Sequence, residues 1–89
     1  MELEQDIYTV YVLHSLRFDK IYIGFTSNLI SRFHSHNSLA TKGHTIRYRP
    51  WTVIHTEVFH TKSEAMKREK QLKSSRGRAS IRDKINSDM

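Results

Sequence analysis

The sequence has no cysteine, one proline and three glycines among its 89 residues. Without cysteine, the chain has no disulfide framework, no thiolate nucleophile and no cysteine-based zinc finger, and the cytosol is its default compartment. No apolar run approaches the ~20 residues of a membrane span. The acidic start of the chain also lacks the apolar segment of a signal peptide. We therefore expect a cytoplasmic protein that neither enters a membrane nor is exported.

Length and composition predict one globular domain over residues 1–89. A chain this short cannot build two separate apolar cores. Its hydrophobic residues (37%) and aromatic residues (10%) exceed what a disordered tail contains. We expect a monomer or a weak homodimer, and the residues do not distinguish the two.

The charge is strongly basic and unevenly distributed. The formal net charge is +6, and the excess lies in residues 27–52, which carry +4, and residues 62–89, which carry +5. A polyanionic partner such as a nucleic acid fits this charge better than an acidic protein or a neutral metabolite.

Hydrophobic periodicity predicts an α+β fold. Alternating and β-branched segments predict strands over 7–13, 21–25 and 51–59, the first of them apolar on both faces. Helical spacing predicts helices over 28–38 and 62–74, with a break at 74–77 and a short last helix around Ile81 and Ile85. The segment 41–50 is predicted to be a loop. The order ββαβαα predicts a three-stranded antiparallel sheet flanked by helices.

An acidic residue falls inside the apolar stripe of the second predicted helix. On a helical wheel, Ala65, Met66 and Leu72 form an apolar arc, and Glu69 lies near its middle. Burying an unpaired carboxylate costs several kcal/mol. Glu69 therefore opens into a cleft, pairs with a base such as Arg32, or binds a cation.

Two other acids have simpler explanations. Glu57 fits the exposed face of its strand, and Glu64 stands three residues after Thr61 in the spacing of a capping box.

Arg32 and His36 are four residues apart and therefore neighbours on one face of the first predicted helix. A guanidinium matches phosphate oxygens, and an imidazole transfers protons near neutral pH, so the pair suits an anion and its hydrolysis. Simple solvent exposure is the structural alternative.

Tyr11 and Tyr22 lie on the two arms of the predicted hairpin and share one side if the register sets them opposite one another. Such tyrosines are usually core residues, but their buried hydroxyls need partners, which an Arg, a phosphate or a metal-bound water supplies. Gly24 follows closely and permits a close backbone approach or a bulge.

Together these residues resemble the GIY-YIG nuclease superfamily, particularly its small single-domain bacterial members related to the endonuclease domain of the excinuclease. The second half of the family name is literal in Tyr22-Ile23-Gly24, and the first half appears as Thr9-Val10-Tyr11 with Thr in place of Gly. Arg32 and His36 match the family's arginine and its following His or Tyr. The second predicted helix is similar to the helix that bears the metal-binding glutamate, which assigns that role to Glu69.

The resemblance implies phosphodiester hydrolysis with one divalent cation, Mg²⁺ or Mn²⁺, held by Glu69. It implies that Arg32 grips the scissile phosphate, that Tyr11 is the general base assisted by His36, and that Tyr22 orients water or phosphate. A free phenol has a pKa of about 10, so Tyr11 acts at neutral pH only if its neighbours favour loss of the proton. We expect all five groups to meet around one cation site.

Further basic residues are expected to contact the nucleic-acid backbone without sequence preference and to make binding salt-dependent. A solvated helix face that aids solubility is the alternative. These residues are Arg47, Arg49, Lys67, Arg68, Lys70, Lys73, Arg76 and Arg78.

The resulting hypothesis is an endonuclease that cuts DNA, single-stranded or structured, in DNA repair or processing; the residues do not distinguish DNA from RNA. The alternatives are a noncatalytic nucleic-acid-binding module with the same fold and a scaffold domain that works through a protein partner. His44 is a secondary site candidate, and Asn86 is a loose positional match to a polar residue of the family.

Overall fold

The fold is a three-stranded antiparallel sheet with helices on both faces, seen in a computed structural model that describes residues 7–39 and 44–87. The strand order is β2-β1-β3, so the first strand is central. The strands are β1 (Tyr8–Ser15), β2 (Lys20–Thr26) and β3 (Thr52–Phe59). This architecture confirms the predicted α+β class and its three antiparallel strands.

The register of the β1–β2 hairpin sets the relation between the two tyrosines. Tyr11 lies opposite Gly24, and Leu13 lies opposite Tyr22. Because residues two apart on a strand share a face, Tyr11 and Tyr22 are diagonal neighbours on the same face of the sheet. They share a side, as predicted, but are not directly opposite.

The helices form a layer on each face of the sheet. They are α1 (Leu29–His34), α2 (Lys62–Lys73) and α3 (Ser75–Ser87). On one face, α2 and α3 close a core whose buried residues are Val10, Val12, Ile23, Ala65, Leu72 and Ile81. On the other face, a second core is built from Tyr11, Leu13 and Trp51, with Tyr22, Leu29, Phe33, Tyr48 and Val53 packed against it. β1 is apolar on both faces because a core packs against each of them.

The first helical segment has about the predicted extent but changes type along its length. Asn28 caps α1 by accepting a hydrogen bond from the Ser31 N–H at 3.1 Å, but α-helical geometry ends at His34 and a π-helical turn follows over Ser35–Leu39. Arg49 and Trp51 bind this turn from a distant part of the chain, and these tertiary contacts leave no trace in the local periodicity.

The break between the last two helices is a single residue, Ser74, rather than a four-residue segment. The Ser74 hydroxyl donates to the Gln71 carbonyl at 2.6 Å and accepts from the Gly77 N–H at 3.1 Å, so it serves both helix ends. Gly77 lies inside α3, where a Cβ would clash with the Gln71 carbonyl oxygen. Gly77 therefore permits close packing of the two helices and does not terminate one, and α3 is a full 13-residue helix.

Two further expectations for side chains are wrong. Glu57 faces α2 instead of solvent, and it binds Arg68 Nε at 2.9 Å and His55 Nε2 at 2.7 Å. Arg68 is thereby used in an ion pair within the protein. Met66 is about half exposed and lies outside the apolar stripe, which contains the buried Ala65 and Leu72.

The segment predicted as a loop before β3 contains a 3-10 turn over His44–Tyr48, while residues 40–43 lie outside the described residues. The side chain of His44 is also outside the described part. Among the helices of residues 7–39 and 44–87, none has the length and apolarity needed to cross a membrane.

Candidate active site

A buried chain of hydrogen bonds joins the sheet to the segment between α1 and β3. The Tyr11 hydroxyl and His36 Nε2 are 3.0 Å apart, and His36 Nδ1 lies 2.9 Å from the Thr45 hydroxyl. All three residues are buried, with Tyr11 only 1% exposed. When Nδ1 carries the imidazole proton, it donates to Thr45 and Nε2 accepts from Tyr11. Thr45 is a site residue that the sequence analysis missed, because nothing local links it to a histidine nine positions earlier.

Gly24 makes room for the phenol of Tyr11. A Cβ at Gly24 would lie 2.8 Å from the Tyr11 hydroxyl oxygen and 3.0 Å from its Cζ. Since real Cβ atoms essentially never approach this closely, only glycine fits beneath the phenol without movement. The close approach expected at this position is confirmed.

Tyr22 and Arg32 complete the group around Tyr11. The Tyr22 ring centroid is 6.1 Å from that of Tyr11 and 4.6 Å from that of His36. The exposed Arg32 reaches both phenols with its guanidinium. The structure thus brings together four of the five predicted catalytic residues on one face of the sheet.

The pKa values of these groups are shifted in ways that follow from their surroundings. Burial raises the pKa of Tyr11 to about 12, the neighbouring Tyr22 adds to this, and Arg32 opposes it. Hydrogen bonding to Tyr11 raises the pKa of Arg32. Burial, with the positive charges of Arg32 and Arg49, lowers the pKa of His36. At neutral pH the site therefore holds a neutral phenol, a neutral imidazole and a cationic guanidinium.

The π-helical turn that carries His36 is held to the chain before β3 by one side chain from each segment. Arg49 Nε donates to the His36 carbonyl at 2.6 Å, and Arg49 Nη2 donates to the Ser35 carbonyl at 3.1 Å. Asn37 binds both the N–H and the carbonyl of Trp51. Arg49 was expected to contact nucleic acid, and the structure shows that it also holds the turn that carries His36.

Glu69 belongs to the opposite layer. It lies on α2 along the stripe of Ala65 and Leu72, its side chain is 21% exposed, and it pairs with Lys73 at 3.5 Å. Within residues 7–39 and 44–87, no hydrogen bond or ion pair joins Glu69 to the other four residues; the alternative of an ion pair with a base is met by Lys73 and not by Arg32. No cluster of three or more metal-ligating acids and histidines forms in this part of the chain either.

The remaining predicted binding residues are spread over both layers. Arg47 lies with its guanidinium carbon 5.7 Å from the Tyr48 ring centroid, on the Tyr11 side of the sheet. On the α2 and α3 side, Arg78 donates to the Lys73 carbonyl at 3.2 Å. The predicted contacts Lys67, Lys70, Lys73 and Arg76 are also exposed there, and Asn86 is exposed near the end of α3.

The family model of the GIY-YIG catalytic domain matches residues 7–85, nearly all of the described chain. The chain belongs to the GIY-YIG family. Its match to a catalytic domain relates it to nucleases that act on nucleic acids and generally use divalent metal ions.

Similar proteins carry UPF0213 names. The chain is 36% identical over 56 residues to the UPF0213 protein SH2523 of Staphylococcus haemolyticus, covering 63% of this chain and 68% of the relative. It is 38% identical over 65 residues to the UPF0213 protein NP_0776A of Natronomonas pharaonis, covering 73% and 75%. The solution NMR structure of the UPF0213 protein BH0048 from Bacillus halodurans matches with a TM-score of 0.52 and 25% identity, over 86% of this chain and 83% of that one. These matches agree with the observed fold.

Proposed function

We propose that this GIY-YIG protein is a metal-dependent endonuclease that hydrolyses phosphodiester bonds in DNA, with residues 1–89 forming one nuclease domain. We further propose that it acts in the cytoplasm in DNA repair or processing. The observation that carries the proposal is the buried hydrogen-bond chain from Tyr11 through His36 to Thr45, bordered by the exposed guanidinium of Arg32.

The hydrogen-bond chain suits proton transfer from an attacking water. With a pKa of about 12, Tyr11 does not supply a free phenolate at neutral pH. His36 is neutral there, since its pKa is lowered, and Nε2 accepts the phenol proton as the phenol oxygen takes one from water. In this proposal Tyr11 relays the proton and His36 stores it, while Thr45 fixes the imidazole tautomer.

Arg32 is the group on this face that stabilises the phosphate. Its guanidinium is exposed and lies against both phenols, so a phosphate bound there sits beside the proton relay. Tyr22 packs against His36 and orients water or phosphate through its hydroxyl. Lysine in place of Arg32 should restore little activity, because an ammonium lacks the planar fork.

The chemistry of Glu69 fits a divalent cation whose other ligands come from the substrate phosphate and water. Mg²⁺ is commonly bound by one or two carboxylates together with substrate phosphates and water, and Glu69 is a single, partly exposed carboxylate that pairs with Lys73. Glu69 would hold Mg²⁺ or Mn²⁺, which supplies charge stabilisation of the leaving oxygen when bound.

The test is cleavage of single-stranded and duplex DNA by the purified protein with Mg²⁺, with Mn²⁺ and with a chelator. We expect metal-dependent cleavage that Glu69→Gln reduces by about a hundredfold or more while DNA affinity is retained. Glu64→Gln is the matched control on the same helix. The Glu64 carboxylate lies in the first turn of α2, where it accepts a hydrogen bond from the hydroxyl of the N-cap residue Thr61. This substitution should leave the rate within about twofold. Absence of metal-dependent cleavage on both substrates would contradict the proposal.

One observation favours a noncatalytic nucleic-acid-binding module as the second candidate. Glu69 is paired with Lys73, and its helix packs on the sheet face opposite Tyr11. This candidate predicts salt-dependent DNA binding that neither metal ions nor Glu69→Gln alters, without cleavage.

A further inference from the structure

An exposed cluster of rings and cations lies at the tip of the β1–β2 hairpin. Phe18, in the turn, is 42% exposed and packs edge to face against Tyr48 with ring centroids 5.7 Å apart. Arg17 lies 5.4 Å from the Phe18 ring centroid, and Lys20 and Arg47 lie 5.4 Å and 5.7 Å from that of Tyr48. We call these five residues the tip cluster.

The hairpin tip is fixed in place by contacts on its other side. Asp19 has a left-handed backbone with φ of 52°, and its carboxylate binds His14 and Arg82. The Phe18 N–H donates to the Ser15 hydroxyl at 3.4 Å. The negative charge of Asp19 is therefore paired with Arg82 of α3. Within residues 7–39 and 44–87, the three cations of the tip cluster form no ion pair with a carboxylate.

The tip cluster lies on the same face of the sheet as the candidate active site. Lys20 and Tyr22 are two residues apart on β2, which puts them about 7 Å apart on one face. Ring contacts continue from Tyr48 to Trp51 and from Trp51 to Tyr22, each with centroids 6.4 Å apart. A nucleic-acid strand bound at the Tyr11 site therefore passes within reach of the tip cluster.

We propose that the tip cluster is a subsite that stacks one unpaired nucleobase of the substrate strand and contacts its neighbouring phosphates. An exposed ring offers a π-face to any base, and cations around it match the phosphate backbone. Bases in a duplex are already stacked on one another, so the subsite selects an unpaired nucleotide beside the cleaved bond. The proposal rests on the proposed nuclease function for the position of that bond, whereas stacking itself is measurable without cleavage.

The first test measures affinity by fluorescence anisotropy in chelator, with labelled short oligothymidylate, oligouridylate and an abasic oligonucleotide of equal length. Phe18→Ala should weaken binding of the oligothymidylate or the oligouridylate by about tenfold and leave the abasic affinity unchanged. Loss with either base-containing strand supports the subsite. Leu16→Ala is the matched control, because Leu16 is 73% exposed in the same turn and has no ring.

The second test uses Phe18→Trp, which keeps a ring at the tip and adds a reporter. Relative to wild type, in which Trp51 is the tryptophan and is 3% exposed, the added indole fluorescence should be quenched by the base-containing strands and not by the abasic one, with affinity equal to or above that of the wild type. Equal affinity of wild type and Phe18→Ala for every strand, without quenching of Phe18→Trp, would overturn the subsite and leave the tip as a surface for a protein partner.

A separate cleavage assay keeps the two proposals distinguishable. If wild-type protein cleaves DNA but Phe18→Ala binds it equally well, the subsite is wrong and the nuclease proposal stands. If Phe18 governs binding but no cleavage occurs with Mg²⁺ or Mn²⁺, the nuclease proposal fails and the subsite stands.

Discussion

Gly24 is the residue beneath the Tyr11 phenol, and its missing side chain is part of the site geometry. We predict that Gly24→Ala lowers the free energy of unfolding by about 1–3 kcal/mol, because a Cβ there would meet the phenol oxygen at 2.8 Å. Displacement of the phenol should also slow cleavage. Urea unfolding and the cleavage rate measure the two effects.

The same substitution in a Tyr11→Phe background tests the cause. Once the phenol oxygen is gone, the nearest atom is Cζ at 3.0 Å, so Gly24→Ala should cost less stability there than in the wild type. An equal cost in both backgrounds would assign the effect to the backbone of β2 instead.

His36 links the site to pH. Its pKa is lowered in the folded protein by burial and by Arg32 and Arg49, whereas an unfolded histidine titrates near 6.5. The unfolded state therefore binds more protons once the pH falls below about 6.5, and the folded state loses stability in that direction. Above this range His36 is neutral in both states and contributes no pH dependence.

We predict that wild-type protein loses more stability than His36→Gln when the pH is lowered from about 8 to about 5. The difference between the two proteins isolates His36 from the other histidines. His36→Gln should also reduce cleavage by about a hundredfold at neutral pH. Parallel stability curves for the two proteins would contradict the lowered pKa.

At the scale of elements, the π-helical turn decides where His36 lies. Two arginines of similar sequence position have different relations to it: Arg49 binds the carbonyls of Ser35 and His36, and Arg47 is exposed beside Tyr48. They form a matched pair for mutagenesis.

We predict that Arg49→Met slows cleavage by about tenfold or more with little change in DNA affinity, because the turn that positions His36 is loosened. Arg47→Met should weaken affinity and leave the rate at saturating DNA unchanged, since only a phosphate contact is lost. Single-turnover rates and binding isotherms separate the effects. The reverse pattern would show that Arg49 acts on DNA directly.

The elements that could be predicted from the sequence are those whose signals are local. Alternation of apolar residues indicated the three strands, and the Asn28 and Thr61 caps indicated two helix starts. The π-helical turn depends on Arg49 and Asn37, which act between segments distant in sequence. Gly77 was misinterpreted because a glycine that permits close packing of two helices looks the same as one that ends a helix.

At the scale of the whole molecule, the sheet separates two basic surfaces. The tip cluster lies on the Tyr11 side, and Lys67 and Lys70 lie on α2, which packs on the other side. If Glu69 holds a metal that contacts the nucleic acid, the strand has to extend past an edge of the sheet to reach both that metal and Arg32.

We predict that Lys70→Gln, next to Glu69, lowers the slope of log Kd against log salt concentration by about 0.7 on single strands or about 0.9 on duplex DNA. Lys62→Gln is the control, about 12 Å away along the same helix. Equal slopes for wild type and Lys70→Gln would confine the nucleic acid to the Tyr11 side.

Strand alternation put Tyr11 and Tyr22 on one side of the hairpin and helical spacing put Arg32 beside His36, but only the family resemblance joined the two pairs into one site. The position of Glu69 relative to them depends on how α2 packs across the sheet, and its helical wheel carries no information on that distance. The catalytic role of Glu69 therefore stays a prediction.

The central strand β1 points alternate residues to opposite faces of the sheet: Val10 and Val12 to the core beneath α2 and α3, and Tyr11 to the hydrogen bond with His36. Inserting or deleting one residue within it would exchange these sides, putting the phenol among aliphatic groups and a valine beside the imidazole. Substitutions that keep the length of β1 preserve this arrangement. A one-residue insertion or deletion would disrupt both the core and the site at the same time.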